Sequence, residues 1–345
     1  MTNELKKKYG AFWEREENSC LLFMSNEKPS EGEAVDAIKK WTDLDYRLND
    51  TKQKISRTTL YGDAFHTVFT NFGPGSLAAC IGGNFTPADD TVWFDRDPII
   101  SDWTNLPKID FDPNSEMWGL TENYTKMLCQ NSDGQYYTSV ADLGGTMDII
   151  ASLRGTQELL YDLYDYPDEI MALGEKIRSI WKEAYTYLTK MISQYQDGFT
   201  SWMPIWCEER YYPLQCDFSA MMSPDMFEQF ILPDLRDLSE FLDRSVYHLD
   251  GPGEIPHLDH LLSLPRLSAV QWTPNPTDRV TDEQWFPMYE KIIAAGKGVV
   301  LFAWGCGAEA VENLLRNVPR KGLFISCGVE DEKQAQQLIE LAEKL

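Results

Sequence analysis

The sequence lacks any long hydrophobic run. Its longest apolar stretches, such as 298–304 and 149–153, are far shorter than the ~20 residues that a membrane-spanning helix needs. The N-terminal residues also lack the apolar core and the small-residue cleavage site of a signal peptide. We therefore expect a cytoplasmic protein with no membrane partner.

Basic side chains are scarce. The 345 residues include 31 Lys and Arg against 55 Asp and Glu, which gives a formal net charge of −24. Such a charge repels phosphate backbones and anionic lipids, and no basic stretch beyond Lys6-Lys7-Lys8 offsets it. Nucleic acid is therefore not expected as a partner. The hydrophobic fraction of 43% excludes a disordered low-complexity chain.

Regular cysteine spacing and a dinucleotide-binding glycine motif are also missing. The seven cysteines are odd in number and scattered, which favours free thiols over a disulfide framework. No Gly-x-Gly-x-x-Gly follows a predicted strand, so a dinucleotide-binding fold is disfavoured.

The order of hydrophobic patterns predicts an α/β fold. Residues 1–60 are predicted as an N-terminal helical extension, with helices near 3–18 and 30–53. Strand and helix patterns alternate over 61–345, which is typical of a parallel sheet, and about eight strand candidates favour a (β/α)8 TIM barrel over an open sheet. The strand candidates are 64–70, 136–141, 199–205, 214–218, 245–249, 267–272, 298–303 and 322–326.

The C-terminal ends of these strands are the places to look for chemistry, because barrel enzymes carry their active sites there. Asp217 ends a predicted strand and is interpreted as a catalytic residue that binds the substrate or orients the site. Four residues at strand ends are predicted to bind the substrate: Asn71, Trp202, Trp272 and Trp304. Buried tryptophans are commonly core residues, but tryptophans concentrated at one rim suit a flat aromatic ligand or a macrocycle.

The segment 84–135 interrupts the alternation. It is long and contains Trp93, Trp103 and Trp118 but shows no clear periodicity. Long loops of this kind often act as lids, so we expect this segment to cover a substrate above the barrel mouth.

A metal site is the sharpest chemical hypothesis in the sequence. His248 and Asp250 are two apart on a predicted strand, so both side chains point to one side. Cys327 ends the last strand and could complete a three-ligand set with one open position, as in catalytic zinc sites. The alternative is a simple His–Asp hydrogen bond beside a buried cysteine. The pair His257-Leu-Asp259 repeats the spacing, but it falls in a predicted helix and is interpreted as surface polarity.

Four segments resemble the uroporphyrinogen decarboxylase superfamily, particularly its corrinoid-dependent methyltransferase branch. They are Leu143-Gly-Gly-Thr-Met-Asp-Ile-Ile-Ala-Ser-Leu-Arg-Gly155, Leu159-Leu-Tyr-Asp-Leu-Tyr-Asp-Tyr-Pro-Asp168, Ser223-Pro-Asp-Met-Phe227 and Tyr247-His-Leu-Asp-Gly251. The resemblance covers roughly residues 60–345 and implies a TIM barrel. In the methyltransferases of this superfamily, zinc is held by a His-x-Cys pair after one strand and a second Cys after the last. His248 matches the histidine and Cys327 the final cysteine, whereas Asp250 stands where the first cysteine is expected.

The resemblance implies a zinc-dependent methyltransferase that acts with a corrinoid. An oxygen ligand at position 250 makes zinc a stronger Lewis acid than a thiolate does, which favours O-demethylation of a small methylated, in particular methoxylated, compound. None of the four histidines lies in an Asp-x-His-x-x-Gly corrinoid-binding pattern. We therefore expect the corrinoid (cobalamin) to be carried by a partner protein.

Three alternative functions remain open at this stage. One is transfer of a methyl group from a corrinoid to a thiol. Another is porphyrinogen decarboxylation, although the arginine-rich N-terminal segment of true decarboxylases is missing and a charge of −24 is poorly suited to a polyacidic substrate. The last is a barrel without catalysis that acts as a binding protein.

Overall fold

The structure is a computed structural model that describes residues 1–30, 35–94 and 96–345. Positions 31–34 fall in the helix predicted near 30–53, and position 95 falls in the predicted lid. These five positions lie outside the described residues.

The described residues form a mixed α/β fold with eleven strands. The strands are β1 (Leu21–Glu27), β2 (Thr58–Gly62), β3 (Thr67–Val68), β4 (Thr86–Pro87), β5 (Val92–Trp93), β6 (Tyr137–Thr138), β7 (Tyr211–Gln215), β8 (Arg244–Asp250), β9 (Ala269–Thr273), β10 (Gly298–Phe302) and β11 (Leu323–Gly328).

Fourteen α-helices and four short 3-10 helices connect these strands in the described part of the chain. The α-helices are α1 (Asn3–Glu14), α2 (Ala37–Thr42), α3 (Leu44–Arg57), α4 (Leu77–Cys80), α5 (Glu116–Gln130), α6 (Thr146–Arg154), α7 (Thr156–Asp165), α8 (Pro167–Ile192), α9 (Pro224–Phe230), α10 (Leu232–Phe241), α11 (Leu258–Leu262), α12 (Phe286–Ala294), α13 (Ala308–Asn317) and α14 (Glu332–Lys344). The 3-10 helices are Trp103–Asn105, Asp217–Met221, Pro252–His257 and Glu283–Trp285. No helix among the described residues is both long enough and apolar enough to cross a bilayer.

The central sheet has the strand order β2-β1-β11-β10-β9-β8-β7. Every neighbouring pair is parallel except β1 with β2. Strands β3 and β6 form a separate parallel pair, and β4 and β5 form an antiparallel hairpin. The predicted α/β class is confirmed, whereas the ladders between the described strands stop short of a closed barrel.

The segment predicted as a helical extension contains a central strand. β1 pairs with β11 on one side and β2 on the other, so it belongs to the main sheet. The apolar run that forms β1 is short, bears no β-branched residue and has only Phe23 with a high strand propensity, so the strand signal was weak. Helix α1 begins where the sequence predicts it and ends at Glu14, with Tyr9 and Trp13 buried.

The strand predicted over 199–205 is wrong. Only an isolated bridge between Phe199 and Cys207 forms there. Pro204 has no N–H to offer a sheet, and the Ile205 amide donates to the carbonyl of Met203 at 2.7 Å in a tight turn. The other late strand predictions lie within a few residues of their observed positions.

Helix α1 covers the end of the sheet where the strands begin. Trp13 packs against Tyr211 with ring centroids 5.0 Å apart, and its indole N–H donates to the carbonyl of Trp206 at 2.8 Å. Phe12 contacts Phe324 of β11. These rings and Val246 belong to an inner core on one face of the sheet, while a larger outer core lies between the sheet and the helices. The opposite end of the strands remains open.

Candidate functional site

Three potential ligands meet at the C-terminal ends of neighbouring strands β7 and β8. Asp217 follows β7, while His248 and Asp250 lie two residues apart in β8. One ligand atom from each lies within 4.8 Å of the others, and this is the only such group of three or more among the described residues. Side chains alternate along β8, so His248 and Asp250 lie on one face of the strand. Val246 of the inner core is on that same face. We call Asp217, His248 and Asp250 the triad.

Gln271 in β9 fixes the orientation and tautomer of the His248 ring. The Gln271 amide nitrogen donates to the carbonyl of Trp272 and to Thr273 Oγ1, both at 2.8 Å. A carbonyl can only accept, so the amide oxygen must be the atom that faces His248 Nδ1. His248 therefore carries its proton on Nδ1, which leaves the lone pair of Nε2 free to bind a metal.

Asp148, near the start of α6, holds the backbone that carries Asp217. Its carboxylate accepts the amide N–H of Asp217 at 3.2 Å and that of Phe218 at 2.8 Å. These two donors open the 3-10 helix Asp217–Met221 and would otherwise lack partners. Asp148 thus fixes the point from which Asp217 projects.

Two glycines before α6 permit this approach. Gly144 has a φ of +81°, and a Cβ there would lie 2.6 Å from the Gly75 Cα. A Cβ on Gly145 would lie 2.1 Å from the carbonyl oxygen of Gln215 at the end of β7. The Gly-Gly pair of the segment 143–155 therefore lets α6 contact β7 and brings Asp148 to the site.

The site is rich in negative charge. Loss of hydration raises the pKa of Asp217, and the charge of Asp250 acts in the same direction while His248 opposes it. Burial raises the pKa of Glu254 to about 9, and the Asp217 charge adds to that effect. Glu254 Oε2 lies 3.2 Å from the Tyr247 hydroxyl, whereas Oε1 is buried and has no partner among the described residues.

His257 is fully buried, so its interpretation as surface polarity is wrong. Its ring stacks on Phe227 with centroids 4.3 Å apart, and its Nε2 donates to the carbonyl of Ser219 at 2.9 Å. A 3-10 helix, not the expected α-helix, carries His257 and turns it inward. Asp259 is exposed and pairs with Lys291, as expected of a surface residue.

Cys327 does not join the triad. It shares a face of β11 with Leu323 and Ile325, which pack in the outer core, and it lies opposite Met24 of the same core. Phe324, on the other face of β11, belongs to the inner core. The face of β8 that carries His248 is turned toward that same inner core. Burial raises the pKa of the Cys327 thiol to about 12. The structure therefore does not bring Cys327 to His248 and Asp250.

A cavity of about 1140 Å³ lies at the open end of the sheet. Asn71, Trp202 and Trp304 line it, and the Trp202 ring meets the His248 ring edge-on at 5.1 Å. Trp304 is 51% exposed. Trp272 does not line this cavity, because it is fully buried in the outer core against Trp285.

A smaller cavity of about 280 Å³ lies beside Asp217. Trp93 of the β4–β5 hairpin lines it and is 41% exposed, in agreement with part of the predicted lid. Trp103 and Trp118 are buried core residues. Within the described part of 84–135, Asp90 between β4 and β5 and Tyr124 of α5 line the larger cavity, while Val92 and Trp93 of β5 line the smaller one.

A comparison with solved structures finds a protein of similar fold. A methyltransferase from Methanosarcina mazei matches the chain in structure with a TM-score of 0.61, covering 99% of this chain and 98% of that one. The fold is similar to that of a methyltransferase. Sequence identity over the match is 10%, which shows the fold and not the chemistry. No family model matches the chain, and no curated protein matches it by sequence.

Sequence reasoning missed Gln271 and Asp148. Gln271 lies one residue before the predicted Trp272, and the period of two in β9 puts it on the His248 face. That alternation was a usable signal. Asp148 lies inside a segment that resembles a known superfamily, but its contact with residues 217 and 218 joins positions about 70 apart and had no local signal.

Proposed function

We propose that the protein is a metal-dependent methyltransferase. It would move a methyl group between a small methylated compound, in particular a methyl ether, and a corrinoid carried by a partner protein. The metal is zinc in the superfamily that the sequence resembles. The likeness to a solved methyltransferase supports the general class, and the residues at the strand ends support the metal.

The observation that carries the proposal is the triad beside the large cavity. An imidazole and two carboxylates converge at the end of the sheet where α/β enzymes of this type place their active sites. The His248 tautomer set by Gln271 suits metal binding. A substrate in the 1140 Å³ cavity would lie against Trp202, which contacts His248 directly.

The chain's own residues account for binding and orientation. Trp202 and Trp304 offer flat apolar surfaces for an aromatic methyl ether, and Asn71 adds polar groups at the cavity wall. His248 and Asp250 would hold the metal, which supplies a Lewis acid for the ether oxygen. A cobalt(I) corrinoid, as the methyl acceptor, would supply the electron pair for its new bond to the methyl carbon as the bond from that carbon to the ether oxygen breaks. The released alkoxide or phenolate would take up a proton from water.

We also propose that the eight parallel strands β1, β3 and β6–β11 close into a (β/α)8 barrel. Side-chain contacts bridge one gap between the ladders. The Tyr212 hydroxyl in β7 accepts the amide N–H of Leu143 at 2.7 Å, just beyond β6. Closure would place the triad and the cavity at one mouth, over which a corrinoid protein could dock.

A direct assay tests the function. The zinc-loaded protein is mixed with a cobalt(I) corrinoid and a panel of methoxylated aromatic and aliphatic compounds, and the absorption of methyl-cobalt(III) is followed. We expect at least one methyl ether to produce methyl-cobalt(III), and His248→Ala to abolish the signal. The exposed Asp259→Asn variant is the matched control and should retain it.

Three further measurements on the same protein separate the alternative functions. Conversion only of methyl-cobalt(III) with a thiol would indicate the thiol methyltransferase. Consumption of uroporphyrinogen without metal or corrinoid would indicate a decarboxylase. A protein that binds no metal and gives no methyl transfer with any compound would contradict the proposal and favour a binding protein.

A further inference from the structure

The triad differs in composition from the ligand set expected from the sequence. That set used Cys327 as the third ligand beside His248 and Asp250. In the structure Asp217 occupies the third position, with a ligand atom within 4.8 Å of both others. Cys327 lies on the opposite face of β11, packed in the outer core.

We propose that Asp217, and not Cys327, is the third protein ligand of the metal, so that one imidazole and two carboxylates hold the ion. The inference deepens the proposed function and rests on it. An N,O,O donor set without sulfur suits a divalent cation such as zinc, iron(II) or the harder manganese(II), and does not favour a soft cation.

The charges around the triad support this assignment. Asp217 and Asp250 repel each other, and no lysine or arginine of the described chain forms an ion pair with either of them. Two carboxylates balance the charge of a divalent cation, which removes that repulsion. The polar partners of the triad, Gln271 and Asp148, carry no positive charge and cannot neutralise it.

A buried orphan oxygen lies beside the same group. Glu254 is fully buried, and its Oε1 has no hydrogen-bond partner among the described residues. Its other oxygen is held by Tyr247 at 3.2 Å. A buried polar oxygen without a partner is costly, and a water molecule bound to the metal would supply that partner.

The elements that carry the three ligands are also held in place without the metal. Asp148 holds the start of the Asp217–Met221 helix, and His257 bonds the carbonyl of Ser219 within it. His248 is held by Gln271. The three ligands therefore need little rearrangement when the metal binds. Cys327 would have to leave the outer core and move to the other face of β11.

Cobalt(II) binding tests the assignment with a spectroscopic readout. The full-length protein is stripped of metal and titrated with cobalt(II), because a thiolate ligand gives an intense sulfur-to-cobalt band in the near ultraviolet and an N,O,O set does not. Four variants are compared: Asp217→Asn, Cys327→Ser and the controls Asp259→Asn and Cys306→Ser. Asp217→Ser is a second variant at the ligand, and thermal unfolding confirms that each variant is folded.

We expect the wild-type protein to bind cobalt(II) without the sulfur band, and Cys327→Ser to bind it equally well. Both variants at Asp217 should weaken binding by at least tenfold. A sulfur band that disappears in Cys327→Ser, with normal binding in the Asp217 variants, would overturn the inference but leave a metal-dependent function intact. A wild-type protein that binds neither cobalt(II) nor zinc would overturn both.

Discussion

Gln271 shows how a neutral side chain can decide the chemistry of a histidine. It donates to a carbonyl that can only accept, and this fixes its amide oxygen toward His248 Nδ1. The ring nitrogen on the other side is then left without a proton. Metal-binding histidines commonly depend on such a partner for their orientation and tautomer.

Gln271→Leu should therefore weaken metal binding without unfolding the protein. Loss of the acceptor lets the His248 ring rotate and populate both tautomers, and we expect a loss of affinity of roughly 10–100-fold. Zinc competition with a chelator measures the affinity, and ¹⁵N NMR of labelled histidines reports the tautomer. Only four histidines are present, and His248→Gln assigns the signal.

The matched control is Gln196→Leu, which removes another amide with backbone partners, at Thr138 and Gly198. It should leave zinc affinity unchanged. Equal zinc affinity in wild type and Gln271→Leu would show that Gln271 does not position His248.

Residue-scale prediction from the sequence succeeded where a rule is local. The i, i+2 spacing was enough to put His248 and Asp250 on one strand face, and strand ends located Asp217. It did not show which face Cys327 would occupy, because the register of β11 depends on its pairing with β1, a strand that the sequence did not reveal. Trp272 was also misplaced, because the alternation of β9 turns its side chain into the outer core.

At the scale of elements, three short segments build the site around β7 and β8. The 3-10 helix Asp217–Met221, the 3-10 helix Pro252–His257 and helix α9 meet at His257. A buried hydrogen bond and a stacked pair each contribute about 1 kcal/mol to stability.

His257→Ala should destabilise the protein by roughly 1–3 kcal/mol, because it leaves the Ser219 carbonyl unpaired and a gap against Phe227. It should also lower metal affinity by loosening the segment that carries Asp217. Chemical denaturation measures the first effect and zinc competition the second. His260→Ala, a change at a partly exposed neighbour, should cost less; equal losses in both variants would contradict this account.

The β4–β5 hairpin is one part of the predicted lid that borders a cavity at the site. Trp93→Ala should weaken binding of a methylated substrate and lower the unfolding midpoint only slightly, because Trp93 is 41% exposed. Trp118→Ala should do the reverse, since Trp118 is buried against Phe111. Calorimetric titration and thermal unfolding distinguish the two effects. Unaltered substrate affinity in Trp93→Ala would exclude a lid function for the hairpin.

The accuracy of the predicted helices and strands depended on how far neighbouring residues in the sequence determine each one. A helix with a side-chain cap and a clear period was predicted close to its observed position, as α1 with its Thr2 cap shows. The strands predicted over 64–70 and 136–141 form only as the two-residue strands β3 and β6, and none forms over 199–205. Long-range pairing and not propensity decides how far such segments extend. The α/β class followed from the alternation alone, whereas barrel closure needs the three-dimensional ladders.

At the scale of the whole molecule, the acidic chain buries several carboxyl groups. Burial raises the pKa of Asp234 to about 6 although Arg178 opposes the shift. Because the folded protein holds this proton more tightly than the unfolded chain, the group's contribution to stability is full below about pH 4. It is lost as the pH rises through about 6.

Asp234→Asn should therefore reduce the loss of stability between pH 5 and pH 7 relative to the wild type. Arg178 keeps a partner in this variant, since it also lies 3.3 Å from Asp237. Buried histidines titrate in the opposite sense but are common to both proteins, so the comparison cancels them. Unfolding free energies of the metal-free proteins at several pH values provide the measurement, and parallel pH profiles would contradict the raised pKa.

The central claim is a divalent metal held by the triad at the open end of the sheet. Anomalous diffraction from crystals of the zinc-loaded protein, collected on both sides of the zinc edge, tests it most directly. The account predicts one strong zinc peak within bonding distance of Asp217, His248 and Asp250, in a closed barrel. A peak bonded to the Cys327 sulfur, or no peak near His248, would contradict it.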